Sequence, residues 1–352
     1  MRALVFGRGI AGLAVGRRLA LSGWRVSIAG SAARPGRVVT LDPSVVGLLE
    51  LEYGRDLIRT IPTRRLTGRQ LRWKDGPAET IDGDLLVLDL AHLAKAIEAT
   101  LPGGIEVLAE ASDRLDMFDH VFEATGRYER SLLRSGDRTS SLWLMPYPRS
   151  DDHAFLGASG QGGWIFAAPA PGGRLFVPLT LPDRRPSTAV VGGAALASKM
   201  LEDSPFADAG DLLLQKQPIM VDTTPAFRHP VPDARHLRVG DAAAAGDPLA
   251  GDGVGRALRS GVLAAATALE AGTDRSGDAR AHYASRISRA HATHLKSCAL
   301  FYSASRCAGC FVKQIETMRH HGQLLEAFTS RFERSFVLNA VPDVPVLAEM
   351  VR

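Results

Sequence analysis

The chain has 352 residues, of which 45% are hydrophobic and 23% are charged, and its formal net charge is +4. This length and apolar content allow a large buried core with more than one lobe, which excludes an intrinsically disordered protein. The arginines are spread along the chain without a basic stripe or interleaved aromatic residues, so we expect no nucleic-acid partner.

A glycine-rich turn follows the first apolar segment. Residues 3–6 predict a strand, residues 10–22 a helix and residues 24–29 a second strand, and the first turn has the pattern GxGxxG. In such a βαβ unit the glycines permit a tight turn, close approach of the backbone to a pyrophosphate and close packing of the helix on the strand. The helix N-terminus also attracts phosphate charge. We therefore expect a bound dinucleotide, contacted by Gly7, Gly9, Ile10, Ala11 and Gly12.

The second strand ends without the acidic residue that usually binds the adenosine ribose. Gly30 occupies that position, and Ser31 follows it. We include Ser31 and Arg37 among the expected cofactor contacts, and Arg8 and Arg34 are further cations at this end of the site.

The chain changes character between its glycine-rich blocks. Residues 60–80 contain short alternating runs rich in arginine, threonine and glycine, and residues 142–180 contain aromatic runs broken by glycine and proline. Both patterns are typical of strands in a mainly antiparallel sheet. We expect this sheet to form a second lobe.

Within that lobe, residues 164–168 and 174–181 predict a hairpin with its turn at 171–173. Strand alternation places Trp164 and Phe166 on one face of the hairpin. These two side chains either line a substrate cleft or pack in the core, and the pattern does not distinguish the alternatives.

A second glycine-rich segment, GDAAAAGDPLAGDGVGRALRSG, extends from Gly240 to Gly261. Residues 236–239 predict a short strand before it, and residues 253–269 predict a helix whose first turn is again rich in glycine. The charged turn at Gly240 and Asp241 is therefore expected beside a helix N-terminus, which favours negative charge.

These segments, together with DHVFEATGRYERSLLR at 119–134, resemble the p-hydroxybenzoate hydroxylase superfamily of FAD-dependent enzymes. The resemblance implies that Asp241 binds the ribitol chain and that residues 248–253 face the flavin ring. The amino-acid sequence at 124–127 and 248–261 is more similar to the branch of tryptophan halogenases and geranylgeranyl reductases than to the phenol hydroxylases. The FAD contacts that the resemblance implies beyond the first turn are Thr125, Gly126, Gly240, Asp241, Pro248, Gly251, Gly253 and Val254.

One departure from the hydroxylases concerns the start of a helix predicted at 93–100. Relatives often place an arginine there to contact the flavin, whereas this chain has Leu90, or by another alignment Asp89. Because the acidic residue at Gly30 is also missing, we expect FAD to be held weakly.

A narrower resemblance is to the flavoprotein monooxygenases that mature quinohemoprotein amine dehydrogenases by oxidising a tryptophan within a peptide. It rests on residues 164–169, on 240–261 and on 301–306 before Phe311. Residues 164–169 match the halogenase motif WxWxIP only at the first tryptophan and the final proline, which argues against halogenation.

The resemblance predicts an FAD-dependent monooxygenase that hydroxylates an electron-rich aromatic substrate, either a small molecule or a tryptophan in a peptide or protein. NAD(P)H is the expected reductant, bound transiently because no second GxGxxG is present. Three alternatives stay open: a flavin-dependent reductase of isoprenoid double bonds, a less favoured flavin-dependent halogenase, and a non-catalytic binding protein. No catalytic residue is predicted, and the nearby candidates in the second lobe are His153, His229 and Tyr147.

The predicted fold is α/β. A Rossmann-like FAD-binding domain of the glutathione-reductase type is interleaved with a mainly antiparallel β-sheet substrate domain and followed by C-terminal helices. We predict the FAD-binding domain at 1–58, 82–138 and 232–272, the substrate domain at 59–81 and 139–231, and the C-terminal helical region at 273–352.

The sequence contains no signal-peptide pattern and no apolar run of membrane-spanning length, so we expect a cytoplasmic protein without an integral membrane segment. The three cysteines, which cannot all pair and therefore suit a reducing compartment, are Cys298, Cys307 and Cys310. His291 and His294, followed by Cys307 and Cys310, have a spacing that zinc sites use. All four lie in one helical pattern at 279–317, so we predict spare thiols and no metal.

Overall fold

A computed structural model describes residues 1–109, 115–127, 133–182 and 186–337. Parts of two predicted segments lie outside the described residues, namely 128–132 of the segment at 119–134 and 338–352 of the C-terminal region. In chain order the strands are β1 (Arg2–Phe6), β2 (Arg25–Ala29), β3 (Val38–Leu41), β4 (Thr63–Arg72), β5 (Glu79–Asp89), β6 (Ile105–Leu108), β7 (His120–Glu123), β8 (Leu133–Arg134), β9 (Thr139–Pro146), β10 (His153–Ser159), β11 (Gly163–Ala170), β12 (Arg174–Leu181), β13 (Ile219–Asp222), β14 (Ala226–Phe227) and β15 (His236–Arg238). The helices are α1 (Ile10–Leu21), α2 (Pro43–Tyr53), α3 (Leu90–Ala99), α4 (Pro186–Leu201), α5 (Gly210–Leu214), α6 (Asp241–Ala244), α7 (Gly253–Leu269), α8 (Ser276–Ser303) and α9 (Val312–Val337).

Five strands form a parallel sheet in the order β15-β7-β1-β2-β6. The central strand β1 is an apolar run because both of its faces are covered, and Leu4 and Val5 are completely buried. Val5 is in register with Ile28 of β2 and Phe122 of β7. This sheet confirms the predicted Rossmann-like α/β fold, in which β1, α1 and β2 form the opening βαβ unit.

Eight strands form a second sheet in the order β13-β9-β12-β11-β10-β4-β5-β3. Neighbouring strands are antiparallel except for β10 and β4, so the prediction of a mainly antiparallel sheet is confirmed. The predicted hairpin is present as β11 and β12, with Ala170 paired to Arg174 across the turn.

The domain division remains a prediction. Strand β3 and most of β5, from segments predicted for the FAD-binding domain, hydrogen-bond into this sheet.

The two faces of the eight-stranded sheet contact different helices. Phe155 of β10 and Ile165 of β11 pack in a core cluster with residues of α4. Leu156 and Trp164, which point the other way by strand alternation, pack in a cluster with residues of α8 and α9. The sheet therefore lies between α4 on one side and the C-terminal helices on the other.

The prediction of one continuous helix across residues 279–317 is wrong, because α8 ends at Ser303 and α9 begins at Val312. Long-range contacts explain the break. The backbone N–H of Arg306 donates to the carbonyl oxygen of Trp73 at 2.9 Å, and the fully buried Phe311 packs on Tyr302 with ring centroids 4.6 Å apart.

The part of the chain that the structure describes lacks two classes of feature. No group of three or more histidine, cysteine, aspartate or glutamate side chains there is arranged to hold a metal ion. No helix there combines the length and the apolar character needed to cross a bilayer.

Candidate functional site

The two glycine-rich segments contact each other directly, through α1 and α7. A Cβ atom on Gly240 would lie 2.9 Å from the Cβ of Ala11, and one on Gly261 would lie 2.5 Å from the carbonyl oxygen of Ala11. The hydroxyl of Ser260 accepts a hydrogen bond from the Gly240 N–H at 2.8 Å. Glycine is thus needed at both positions because the turn at 240 and the helix α7 press against α1.

The segment after β7 joins the same contact. A Cβ on Gly7 would lie 2.1 Å from the carbonyl oxygen of Ala124, and one on Gly12 would lie 2.0 Å from the carbonyl oxygen of Gly7. The N–H of Ala124 donates to the carbonyl oxygen of Phe6 at 2.6 Å. The predicted contacts Thr125 and Gly126 therefore leave the parallel sheet beside the first turn.

Other glycines of the same segments face open space. A Cβ on Gly9, Gly126 or Gly253 would meet no atom within 4 Å, and we call the surface that these three residues form the glycine surface. Both α1 and α7 begin there without a side-chain cap. The N–H groups of their first turns are therefore directed at this surface without side-chain acceptors, which suits the phosphates and ring of a dinucleotide.

The structure brings together most of the predicted cofactor contacts at this surface. They are Gly7, Gly9, Ile10, Ala11 and Gly12 in the first turn and α1, Thr125 and Gly126 after β7, Gly240 and Asp241 after β15, Pro248 and Gly251 in the loop before α7, and Gly253 and Val254 at the start of α7. Residues 248–253 are called loop 248–253 below. A Cβ on Gly251 would lie 3.9 Å from the hydroxyl of Thr40 in β3, so the eight-stranded sheet reaches the loop.

Asp89 organises the end of the site where the sequence predicts the adenosine ribose. From the sequence alone, this residue is considered only as one alignment of the position where relatives have an arginine. Asp89 is buried and caps α3, accepting from the Ala91 N–H at 2.9 Å, and it also accepts from the Gly36 N–H at 2.7 Å. Consequently α3 begins at Leu90 rather than at residue 93, and the Leu90 N–H donates to the carbonyl oxygen of Arg37 at 2.8 Å. The loop after β2 is thus fixed to α3.

Charged residues at this end have different environments. Arg8 is paired with Glu98, with 2.6 Å between Nη2 and Oε1, so its charge is already compensated. Arg37 and Ser31 are exposed on the loop after β2. Gly30 has a φ of +127°, a backbone conformation that disfavours the acidic residue normally found at this position. Ser31 and Arg37 remain predicted contacts.

Asp241 forms an ion pair that the sequence analysis did not predict. Its Oδ2 lies 3.5 Å from Nε of Arg127, and the same guanidinium donates to the carbonyl oxygens of Thr224, at 2.8 Å, and Gly246. Arg127 therefore connects the segment after β7 to the residues before loop 248–253. It also holds the Asp241 carboxylate at the edge of the glycine surface.

A buried polar network anchors loop 248–253 from behind. The side chains of Asp247 and Arg138 are both 0% exposed, and 3.2 Å separates Oδ2 from Nη1. The Asp247 carboxylate accepts from the Leu249 N–H at 3.0 Å and from the Tyr302 hydroxyl at 3.3 Å, and the Asp247 N–H donates to Nε2 of His294 at 2.7 Å. Side chains of α8 thereby fix the backbone at the start of the loop.

Trp164 belongs to this network. It is 3% exposed, and its indole N–H donates to the Tyr302 hydroxyl at 2.7 Å. Phe166 is less buried and packs at the border of two core clusters. Trp164 is thus a core residue behind loop 248–253, whereas the partly exposed Phe166 remains a predicted cleft residue.

Ionisable groups near the loop have shifted pKa values. Burial, with the nearby Arg256 as a second cause, holds the pKa of both His291 and His294 well below the ordinary value, so both rings are neutral. Burial raises the pKa of Asp252, which lies between two glycines of the loop, and Arg256 opposes this shift. Asp252 can therefore hold a proton at a higher pH than an ordinary aspartate.

The three acid–base candidates from the sequence lie elsewhere. Tyr147 donates to Asp208 at 3.2 Å and packs in the cluster beside α4. His153 contacts the neighbouring Asp152 at 2.7 Å near the surface. The His229 ring packs against Phe328 of α9, 5.6 Å between centroids.

Solved structures of flavin-dependent enzymes are similar to this one. A structure described as peptidyl tryptophan dihydroxylase QhpG, essential for tryptophylquinone cofactor biogenesis, matches with a TM-score of 0.75 and 23% identity over 90% of this chain and 78% of that chain. PqsL, described as a probable FAD-dependent monooxygenase from Pseudomonas aeruginosa, matches with a TM-score of 0.70 and 18% identity over 88% of this chain and 99% of that chain. CmlS, described as a flavin-dependent halogenase, matches with a TM-score of 0.71 and 19% identity over 95% of this chain and 71% of that chain.

No protein-family model matches the sequence, and no curated protein matches it either. At these identities the similarities show a shared fold. The chain therefore has the fold of FAD-dependent monooxygenases and halogenases, as its glycine-rich segments predicted.

Proposed function

We propose that this protein is an FAD-dependent monooxygenase that hydroxylates an electron-rich aromatic substrate. The observation that carries the proposal is the contact of Gly240 and Gly261 with Ala11, because it places two uncapped helix N-termini on one open glycine surface. Two uncapped N-termini on helices that pack against each other suit the pyrophosphate and the ring of one flavin dinucleotide.

Each part of the chain has a separate role in this proposal. The N–H groups at the start of α1 bind the pyrophosphate, and the Asp241 carboxylate accepts hydrogen bonds from the ribitol chain. The N-terminus of α7 stabilises negative charge on the ring, and the raised pKa of Asp252 lets its carboxyl hold a proton beside that ring. FAD, once bound and reduced, supplies the chemistry that activates dioxygen for transfer of one oxygen atom to the substrate.

The eight-stranded sheet covers the ring and excludes water, with β3 approaching loop 248–253 at Thr40. The network of Asp247, Arg138 and Tyr302 keeps the loop in place during the reaction. NAD(P)H is the proposed reductant. Cys298, Cys307 and Cys310 are free thiols, which supports the cytoplasm as the proposed location.

The proposed substrate is an aromatic small molecule or, as the finer proposal, a tryptophan within a peptide. The likeness to QhpG, described as a peptidyl tryptophan dihydroxylase, supports the peptide. The partial match to WxWxIP and the burial of Trp164 behind the loop do not favour halogenation.

The first experiment reconstitutes the protein with FAD, desalts it and records the visible spectrum before and after NADPH is added under argon. We expect a retained flavin spectrum that NADPH bleaches, and oxygen consumption on re-aeration that rises with a tryptophan-containing peptide. If the protein retains flavin and reduces an isoprenoid double bond without oxygen, its activity is that of a reductase and the proposed monooxygenase activity is wrong. A protein that is colourless after desalting and that also gives no change in flavin fluorescence when titrated with FAD would refute a flavin enzyme.

A matched pair of variants tests the binding surface itself. Gly9 has an ordinary extended backbone, with φ −85° and ψ 177°, and open space beyond its Cα, so Gly9→Val fills the pyrophosphate position without straining the fold. Gly103→Val makes the same change in an exposed turn that also has no atom within 4 Å. We expect only Gly9→Val to lose FAD, with both variants folded by circular dichroism. Equal FAD retention in the two variants would contradict the proposed pyrophosphate position.

A further inference from the structure

A cavity of about 280 Å³ opens at the ends of β4 and β10, between α4 and the segment that joins α8 to α9. Phe155 of β10 lines it, and this residue packs toward α4, whereas the neighbouring Leu156 packs toward the C-terminal helices. The cavity also reaches the β10–β11 turn through Ser159 and Gln161. It is therefore a site separate from the glycine surface.

Cationic groups dominate the lining. Arg72 at the end of β4, Lys199 in α4 and Arg306 between α8 and α9 all line the cavity, and the one lining carboxylate is Asp203, which pairs with Arg72. Arg306 also lies 3.4 Å from Asp75, a highly exposed carboxylate whose attraction is screened by water. Positive charge is thus in excess at this site.

Several donors in the cavity have no acceptor. Nε of Arg72 is buried without a hydrogen-bond partner, and Lys199 has no ion pair in the part of the chain that the structure describes. The Ser159 oxygen accepts from the Gln161 N–H at 3.2 Å, which leaves its own O–H available. Nε of Arg72 is a buried donor without a partner, which is rare in folded proteins, while Lys199 is exposed and Ser159 is half-buried. Together with the excess positive charge, these donors favour an anionic ligand with several acceptor atoms.

The remaining wall is apolar. A Cβ on Gly157 would lie 2.7 Å from the Phe155 ring, so the absence of a side chain at 157 lets that ring lie flat against the strand. Met200 of α4 lines the same region. The volume is at the lower limit for small-molecule sites, which run from about 300 to 1,000 Å³. A dinucleotide is therefore too large, and a carboxylate on a short apolar stem fits.

We propose that this cavity binds a carboxylate group carried on a short apolar stem, through Arg72, Lys199 and Arg306. The stem contacts Phe155 and Met200, and the arginines bind the carboxylate oxygens. An acidic side chain of a peptide and a free organic acid both have this chemistry. Because Ala158, which lines the cavity, pairs directly with Trp164, a peptide bound here lies one strand pair from the residues behind loop 248–253. Only this last role, as a docking site for a substrate peptide, rests on the proposed function.

The test is calorimetric binding to the protein without turnover, so its result does not depend on the oxygenase activity. The probes are 3-phenylpropionate, a blocked octapeptide with one central glutamate, and the same octapeptide with glutamine. We expect the glutamate peptide or 3-phenylpropionate to bind and the glutamine peptide not to bind, with affinity falling as salt increases. Binding of 3-phenylpropionate alone identifies a free acid as the ligand, and binding of the peptide identifies a protein segment.

Charge-neutralising variants locate the site. Arg72→Gln and Lys199→Gln are each expected to weaken carboxylate binding by about tenfold, whereas Lys216→Gln, an exposed lysine of the same lobe, makes the same change outside the cavity. Lys199 is exposed, so its replacement keeps the fold even if Arg72→Gln does not. The proposal is overturned if the glutamate and glutamine peptides bind equally well and 3-phenylpropionate does not bind. It is also overturned if Lys199→Gln leaves the affinity for the carboxylate probe unchanged.

Discussion

Replacing one glycine of α7 with alanine tests whether the two glycine-rich segments must touch. In Gly261→Ala the new Cβ would lie 2.5 Å from the carbonyl oxygen of Ala11 and 3.0 Å from the Cβ of Ala14, whereas ordinary contact begins at 3.4 Å. A backbone carbonyl cannot rotate away, so α1 and α7 have to move apart. Overpacking of this kind costs about 1–3 kcal/mol, and better helix propensity returns about 1 kcal/mol. We expect a net loss of about 2 kcal/mol, since the clash is severe.

The matched control is Gly47→Ala, the same change in the interior of α2. Gly47 is exposed and a Cβ there meets no atom within 4 Å, so this variant gains helix propensity and is expected to be more stable by about 0.5–1 kcal/mol. Urea unfolding followed by circular dichroism measures both values, and flavin fluorescence titration measures FAD affinity. Affinity should fall only in Gly261→Ala, because separating α1 from α7 misaligns the two helix N-termini. If Gly261→Ala is as stable as Gly47→Ala and binds FAD normally, the close contact does not exist.

Three further predictions concern charged groups. Asp241→Ala should weaken FAD binding by about 10- to 100-fold through the loss of a charge-assisted hydrogen bond, and an unchanged dissociation constant in a flavin fluorescence titration would place the ribitol elsewhere. Arg138→Met should lower the free energy of unfolding by about 3–5 kcal/mol by leaving the Asp247 carboxylate buried and unpaired, and adding Asp247→Asn should recover part of this loss. Simple additivity of the two losses in urea unfolding would contradict that coupling. Burial lowers the pKa of His229 from 6.5 to about 4. As the pH falls, the unfolded chain therefore binds a proton at this residue before the folded chain does. The contribution of His229 to stability is complete above pH 6.5 and falls between pH 6.5 and 4 by about 1.4 kcal/mol per pH unit. His229→Gln should reduce the slope of stability against pH, measured by urea unfolding at pH 7, 6 and 5, and an equal slope in both proteins would contradict this assignment.

The parts of the fold that the sequence predicted well depend on local patterns. The helix predicted at 253–269 has those bounds in the structure, and the predicted hairpin occurs at β11 and β12. In both cases turn-forming glycine or proline lies next to an uninterrupted periodic run, so neighbouring residues determine the element.

Features set by distant residues were not predictable in this way. The end of α8 depends on contacts with Trp73, whose indole N–H donates to the carbonyl oxygen of Phe301, 228 positions away, at 2.8 Å. The pairing of Arg138 with Asp247 likewise joins two residues without any periodic relation. The sequence does contain one usable signal for Asp247, because an aspartate before proline commonly caps a short helical turn. Asp247 does so here, as the cap of residues 248–250.

The strand order of the parallel sheet has a consequence for synthesis. Strand β7 pairs with β1 on one side and with β15 on the other, and the eight-stranded sheet is encoded mostly between β7 and β15. Until residues 236–238 leave the ribosome, the apolar strand β7, with Val121 and Phe122, presents an unpaired edge to other chains. A chaperone that protects this edge during translation would therefore raise the yield of folded protein, and chains stopped before β15 should aggregate.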